Sequence, residues 1–192
     1  KTSARSQEIT YRLIHTGQHY DKNMSEQFFE ELSIPRPQIN LGAGGGTQAE
    51  QTAAIMIGYE KLLINEKSDL CMVVGDVTST MACSIVAKKM HIPVAHIEAG
   101  IRSGDMNMPE EINRIVTDSI CDYFFTTTLN ASRNLKILGV NENKIFTVGN
   151  TMIDTLLKNI SRLKKPSFWE EMNLSSKGYL VLTLHRPSNV DE

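Results

Sequence analysis

Residues 69–80 read DLCMVVGDVTST, and residues 92–114 read IPVAHIEAGIRSGDMNMPEEINR. Leu70–Val74 and Pro93–Ile97 are apolar runs of strand length, and the segment between them, Thr78–Met90, carries Ala, Ile and Val at helical spacing. Together they form one βαβ unit, so the two strands are parallel, and as neighbours they lie about 4.8 Å apart. Each run ends on an acid, Asp76 in one case and Glu98 in the other. Ligands of open α/β sheets bind at that carboxyl edge. Two carboxylates there repel, so one tends to keep its proton, as acid/base work requires. Strand alternation puts His96 on the same side as Glu98. A plainer reading stays open: Asp76 only caps the helix near Thr78, and Glu98 pairs with Arg102. Two acids at one edge favour function.

The same alternation runs outward in both directions. Ile9–His15 reads as a strand, Met24–Leu32 as a helix and Gln38–Leu41 as a short strand. Thr47 to Glu50 is a capping box that opens a helix to about Asn65. Downstream come a helix over Glu110–Ile120, a strand over Tyr123–Thr126 and a helix over Asn130–Leu138 closed by Gly139. A strand over Lys144–Val148 and a helix over Met152–Leu163 follow. Strands that alternate with helices and read as apolar runs predict an α/β fold, with a parallel sheet covered by helices on both faces. Lys164–Ser167 breaks the rhythm, which divides the chain into residues 1–165 and 166–192. Phe168–Asn173 reads as a short helix, and Tyr179–Leu184 as a strand opening a second domain.

Bulk properties exclude several classes. A net charge of -2 gives no electrostatic case for nucleic acid or an anionic membrane. No apolar run approaches the roughly 20 residues that span a bilayer. With 41% apolar residues a core can be buried. Cys71, Cys83 and Cys121 show no paired spacing and read as reduced thiols of a cytoplasmic protein. Both ends read as interior to a longer chain.

Other polar residues join the rim. Thr16-Gly17-Gln18-His19 follows the first strand at the same edge. Pro109 with Glu110 and Glu111 marks a helix N-terminus, from which Asn113 and Arg114, with Arg102, reach toward a phosphate or sugar. The glycine-rich stretch LGAGGGT, residues 41–47, reads either as a phosphate cradle or as a loop that lets the chain turn closely. His185 and Arg186 follow the Tyr179–Leu184 run, a pairing that suits a diphosphate leaving group.

Six segments in order, HTGQHYDKNMSEQFF, VVGDVTST, HIEAGIRSGD, MPEEINR, VGNTMIDTL and LTLHRPSNVD, resemble the UDP-N-acetylglucosamine 2-epimerase family. The resemblance covers essentially the whole chain. It implies the first Rossmann-like domain of a GT-B pair, lacking its opening strand, plus the start of the second. It implies conversion of UDP-GlcNAc to UDP-ManNAc by elimination of UDP to 2-acetamidoglucal and re-addition. Asp76, Glu98 and Glu110 match the family's catalytic carboxylates, and His185 its cleft-facing histidine. His185 and Arg186 would sit near the diphosphate. A regulatory UDP-GlcNAc site would fall near Gln18, His19 and Gln48. No cofactor and no metal are implied, and a homodimer is. Relatives sharing these segments hydrolyse the intermediate or act on diacetamido-uronate nucleotides. As it stands, residues 1–192 also suit an inactive sugar-nucleotide-binding or interaction domain.

Overall fold

The computed structural model describes residues 9–17 and 34–184. Two short parallel strands, β1 (Ile14–His15) and β2 (Ile39–Asn40), pair Ile14 with Ile39 and His15 with Asn40. A second sheet holds β3 (Cys71–Val74), β4 (Val94–Ile97), β5 (Tyr123–Thr126) and β6 (Ile145–Thr147), all parallel and in chain order. The helices are α1 (Gln48–Asn65), α2 (Thr78–Lys89), α3 (Pro109–Ile120), α4 (Leu129–Ile137), α5 (Thr151–Asn159) and α6 (Phe168–Glu171). The α/β alternation expected from the sequence is therefore present. The expected helix over Met24–Leu32 lies outside the described residues.

Local chemistry explains most boundaries. The Thr47 hydroxyl accepts from the Glu50 N–H, and the Glu50 carboxylate accepts from the Thr47 N–H, so the capping box opens α1. Pro109 occupies the first turn of α3, where its missing N–H costs nothing. Gly44 lies so close to Gly17 that a Cβ there would meet the Gly17 carbonyl oxygen at 2.4 Å. That close approach accounts for glycine within the LGAGGGT stretch, alongside a hydrogen bond from Ala43 N–H to Thr16 O.

The chain divides into two compact units, Lys1–Asp154 and Thr155–Glu192. In the first, Ile55, Tyr59 and Leu63 of α1 pack with Cys71, Val73, Ala82, Val86, Ile92 and Val94. Full burial of a side chain such as Ile55 or Leu63 is worth about 1.5–3 kcal/mol. A smaller cluster joins Ala99, Phe124 and Leu135. Lys88, in the last turn of α2, pairs with Asp122, whose carboxylate also accepts from Val94 N–H at 2.8 Å. This clip ties α2 to the start of β4.

Three expectations change. Val94, Ala95 and His96 of β4 are all buried, as a central strand requires, but β3 buries Cys71 and Val73 while leaving Met72 and Val74 more than half exposed. An apolar run alone does not separate those two cases. The strand expected over Ile9–His15 contracts to its last two residues. In the second unit, residues 179–184 form no strand. A strand exists only through ladder bonds to a neighbour, and no described residue supplies one.

Candidate active site

Both acids lie at the carboxyl ends of adjacent strands. β3 pairs with β4 in the register Val73 to His96 and Val74 to Ile97, so the turns after Val74 and Ile97 come level. Gly75 N–H donates to Ile97 O at 3.0 Å across that point. A Cβ placed on Gly75 would stand 3.8 Å from Glu98 Oε2, so the Glu98 carboxylate overhangs the residue that precedes Asp76.

The capping role for Asp76 does not hold. Val77, not Asp76, is the N-cap of α2, and its side chain makes no capping hydrogen bond. Asp76 instead faces α3. Its Oδ2 lies 2.5 Å from Arg114 Nη2, and its carbonyl accepts from Asn113 Nδ2 at 2.9 Å. The pairing of Glu98 with Arg102 does not hold either. Arg102 Nη1 lies 2.7 Å from buried Asp118. The Glu98 carboxylate has no partner among the described residues. Glu98 itself adopts the left-handed backbone at φ 74, a conformation costing a non-glycine residue about 1–2 kcal/mol. Strain of that kind clusters at functional sites.

The neighbouring acids of α3 separate sharply. Glu110 is half-buried, and its carboxylate has no partner among the described residues. Glu111 is buried; its Oε1 accepts from Gly104 N–H, while Oε2 accepts from Ser103 N–H and the Ser103 hydroxyl. Arg114 Nη1 adds a fourth contact at 3.0 Å. Burial pushes the Glu111 carboxyl up, but these donors outweigh it and hold the group down at about 2. Glu111 is thus a fixed anion that anchors the Ser103–Gly104 loop and Arg114.

The structure therefore brings Asp76, Glu98, Asn113 and Arg114 to one edge, with Glu110 on the first turn of α3. Asn113, Arg114 and Arg102 were expected to reach substrate. Here their polar groups meet Asp76, Glu111 and Asp118. Gln18, His19, His185 and Arg186 lie outside the described residues. Gln48 opens α1, where its side-chain oxygen accepts from the Thr78 hydroxyl at 3.3 Å.

Reading by residue type gave Glu111 only a place at a helix N-terminus and gave Asp118 no role. The signal was present: residues 111, 114 and 118 are spaced i, i+3, i+7, one stripe of a helix. That stripe is charged yet turned inward, while Ile112 and Ile115 are exposed. Among the described residues no group of three His, Cys, Asp or Glu side chains is set to hold a metal ion.

A family model described as UDP-N-acetylglucosamine 2-epimerase matches residues 1–192. The chain belongs to that family. A UDP-N-acetylglucosamine 2-epimerase of Methanocaldococcus jannaschii is 48% identical over 187 residues, covering 95% of this chain and 51% of the relative. A UDP-2,3-diacetamido-2,3-dideoxy-D-glucuronate 2-epimerase of Pseudomonas aeruginosa is 42% identical over 195 aligned positions, covering 100% of this chain and 54% of the relative. The crystal structure of the Methanocaldococcus jannaschii UDP-GlcNAc 2-epimerase with UDP-GlcNAc and UDP superposes with a TM-score of 0.85 at 46% identity. That match covers 96% of this chain and 51% of the crystallised one. The chain thus spans about half the length of the epimerases it matches. It shares their Rossmann-like α/β fold, of the GT-B type.

Proposed function

We propose that the intact protein interconverts UDP-GlcNAc and UDP-ManNAc at C2, using Asp76, Glu98 and Glu110 as its acid/base carboxylates. The observation that carries this reading is that Asp76 and Glu98 stand in the turns directly after Val74 and Ile97, which pair at the ends of β3 and β4. Epimerisation at C2 requires a proton to leave one face of the sugar and another to arrive on the opposite face, so two groups must act. One carboxylate takes the C2 proton as the C1–oxygen bond to the diphosphate breaks, which yields UDP and 2-acetamidoglucal. A second group returns a proton to C2 from the other side, and a UDP oxygen re-forms the bond to C1. Atoms and charge balance, and no added redox cofactor is needed. His185 and Arg186 are proposed, by motif, to face the leaving diphosphate, with Arg102, Asn113, Arg114, Gln18 and His19 on the substrate side. Homodimer assembly and cytoplasmic residence complete the reading. The unpaired state of Cys71, Cys83 and Cys121 supports the latter.

The similarity to the Pseudomonas aeruginosa enzyme supports a second reading, a diacetamido-uronate nucleotide as substrate. One experiment separates them. The intact protein is incubated in D2O with UDP-GlcNAc or with the uronate nucleotide, and recovered sugars are read by NMR. Deuterium at C2 of recovered UDP-GlcNAc and UDP-ManNAc is expected. Turnover of the uronate nucleotide alone moves the substrate, and free ManNAc with UDP makes the enzyme hydrolytic. Residues 1–192 assayed alone are expected to be inactive, because they span only about half the length of the epimerases they match.

A further inference from the structure

Beneath the rim lies a polar cluster that the proposed chemistry does not use. His96 is 0% exposed and Asp118 3%. His96 Nδ1 lies 2.7 Å from Asp118 Oδ1, and His96 Nε2 lies 2.8 Å from the Gly75 carbonyl oxygen. A carbonyl only accepts, so Nε2 carries a hydrogen and donates it. The other oxygen of Asp118 accepts from Gly100 N–H at 3.0 Å and faces Arg102 Nη1 at 2.7 Å. Asn134 Nδ2 then holds the Gly100 carbonyl at 2.9 Å.

Two of these contacts end on backbone beside a rim acid. Gly75 precedes Asp76, and Gly100 stands two residues after Glu98. His96 stands two residues before it. A buried carboxylate flanked by an imidazole and a guanidinium is a poor way to gain stability, because desolvation takes back much of the pairing energy. Such a cluster does fix geometry, since each hydrogen bond has one direction and one length. The strained backbone of Glu98 persists only where its surroundings over-determine it.

We infer that His96 and Asp118 are positioning residues, which set the separation of the Asp76 and Glu98 carboxylates by clamping the Gly75 and Gly100 turns from below. The inference rests on the proposed function for its kinetic consequence and on the clamp for its structural one, so both are measured.

Three variants of the intact protein decide it. His96→Leu removes both ring nitrogens at similar volume. His96→Gln keeps one amide donor for the Gly75 carbonyl. Asp118→Asn keeps an acceptor for Gly100 N–H. A displacement near 1 Å at reacting groups costs on the order of 100-fold, so His96→Leu should lower kcat for UDP-GlcNAc by about that factor. KM should stay within about twofold in His96→Leu, since Asp118 keeps its contacts with Arg102 and Gly100 in that variant. His96→Gln should recover about tenfold of the loss, and Asp118→Asn should lose about tenfold. Crystal structures of wild type and variant should differ by about 1 Å in the Asp76–Glu98 carboxylate separation. Wild-type kcat in His96→Leu, a loss confined to KM, or an unchanged separation overturns the inference. If His96→Leu does not fold, wild-type kcat in both remaining variants overturns it. A wild-type protein that does not turn over UDP-GlcNAc sinks the functional reading alone, and the carboxylate separation still decides the clamp.

Discussion

Arg114 Nη2 lies 2.5 Å from Asp76 Oδ2, across 38 residues of chain. The same guanidinium holds Glu111 with its other nitrogen. One cation of α3 therefore serves both an acid of the proposed chemistry and an acid of the scaffold. Asp76→Asn leaves Arg114 on Glu111, so the fold should survive while turnover of the intact enzyme falls by about 100-fold or more. Arg114→Met leaves the buried Glu111 carboxylate without its cation and should cost about 3 kcal/mol in urea unfolding. An Asp76→Asn enzyme of near-normal rate would remove Asp76 from the mechanism.

Glu111 makes stability depend on acid. Its folded value of about 2 lies below the roughly 4.3 of an unfolded glutamate, so the folded chain binds fewer protons there. The contribution is fully present above the unfolded value and is lost as pH falls from about 4.5 toward 2. Glu111→Gln should lower stability by about 2 kcal/mol at pH 7 and flatten the slope in that window. Urea midpoints from pH 2 to 7 measure both, and an unchanged slope would place the acid sensitivity elsewhere.

Glu98 holds a left-handed backbone that glycine adopts freely. Glu98→Gly should melt no lower than Glu98→Gln, because relief of about 1 kcal/mol of strain offsets the entropy glycine adds to the unfolded chain. Both variants should lose turnover. Calorimetry with the D2O assay tests the pair; a Glu98→Gly enzyme that melts well below Glu98→Gln would show that no strain is stored there.

Gly100 has φ +79, and a Cβ on it would meet the Ala131 carbonyl oxygen at 2.3 Å. Gly100→Ala must therefore push α4 away from the Glu98 turn. A loss of about 2 kcal/mol or more is expected, with the Asn134 contact to Gly100 broken. An alanine variant with wild-type unfolding would mean that the turn is free to move.

The thiols should be inert. Burial pushes Cys83 and Cys121 up to about 12 and raises Cys71 as well. Thiolate is the reactive form, so iodoacetamide at pH 7.5 should leave all three unlabelled until the chain is unfolded. Rapid labelling of native protein at any of them would contradict the packing around α2 and β3.

Much of this molecule was legible in its sequence because the signals are local. The Thr47–Glu50 capping box, the spacing within α1 and the runs that became β3 to β6 each act within a few residues. The βαβ rule needs only chain order to bring Asp76 and Glu98 to one edge. Rotation of α3 against the sheet is a different matter. Hydrophobicity would bury Ile112 and Ile115, yet the helix turns Glu111, Asn113, Arg114 and Asp118 inward. Their partners, Asp76, Ser103, Gly104, His96 and Gly100, come from other segments, and only tertiary packing places them. The sequence alone determined which strands end in acids. The tertiary structure decided which groups hold those acids, because burying a charge is tolerable only where distant residues arrive to pair it.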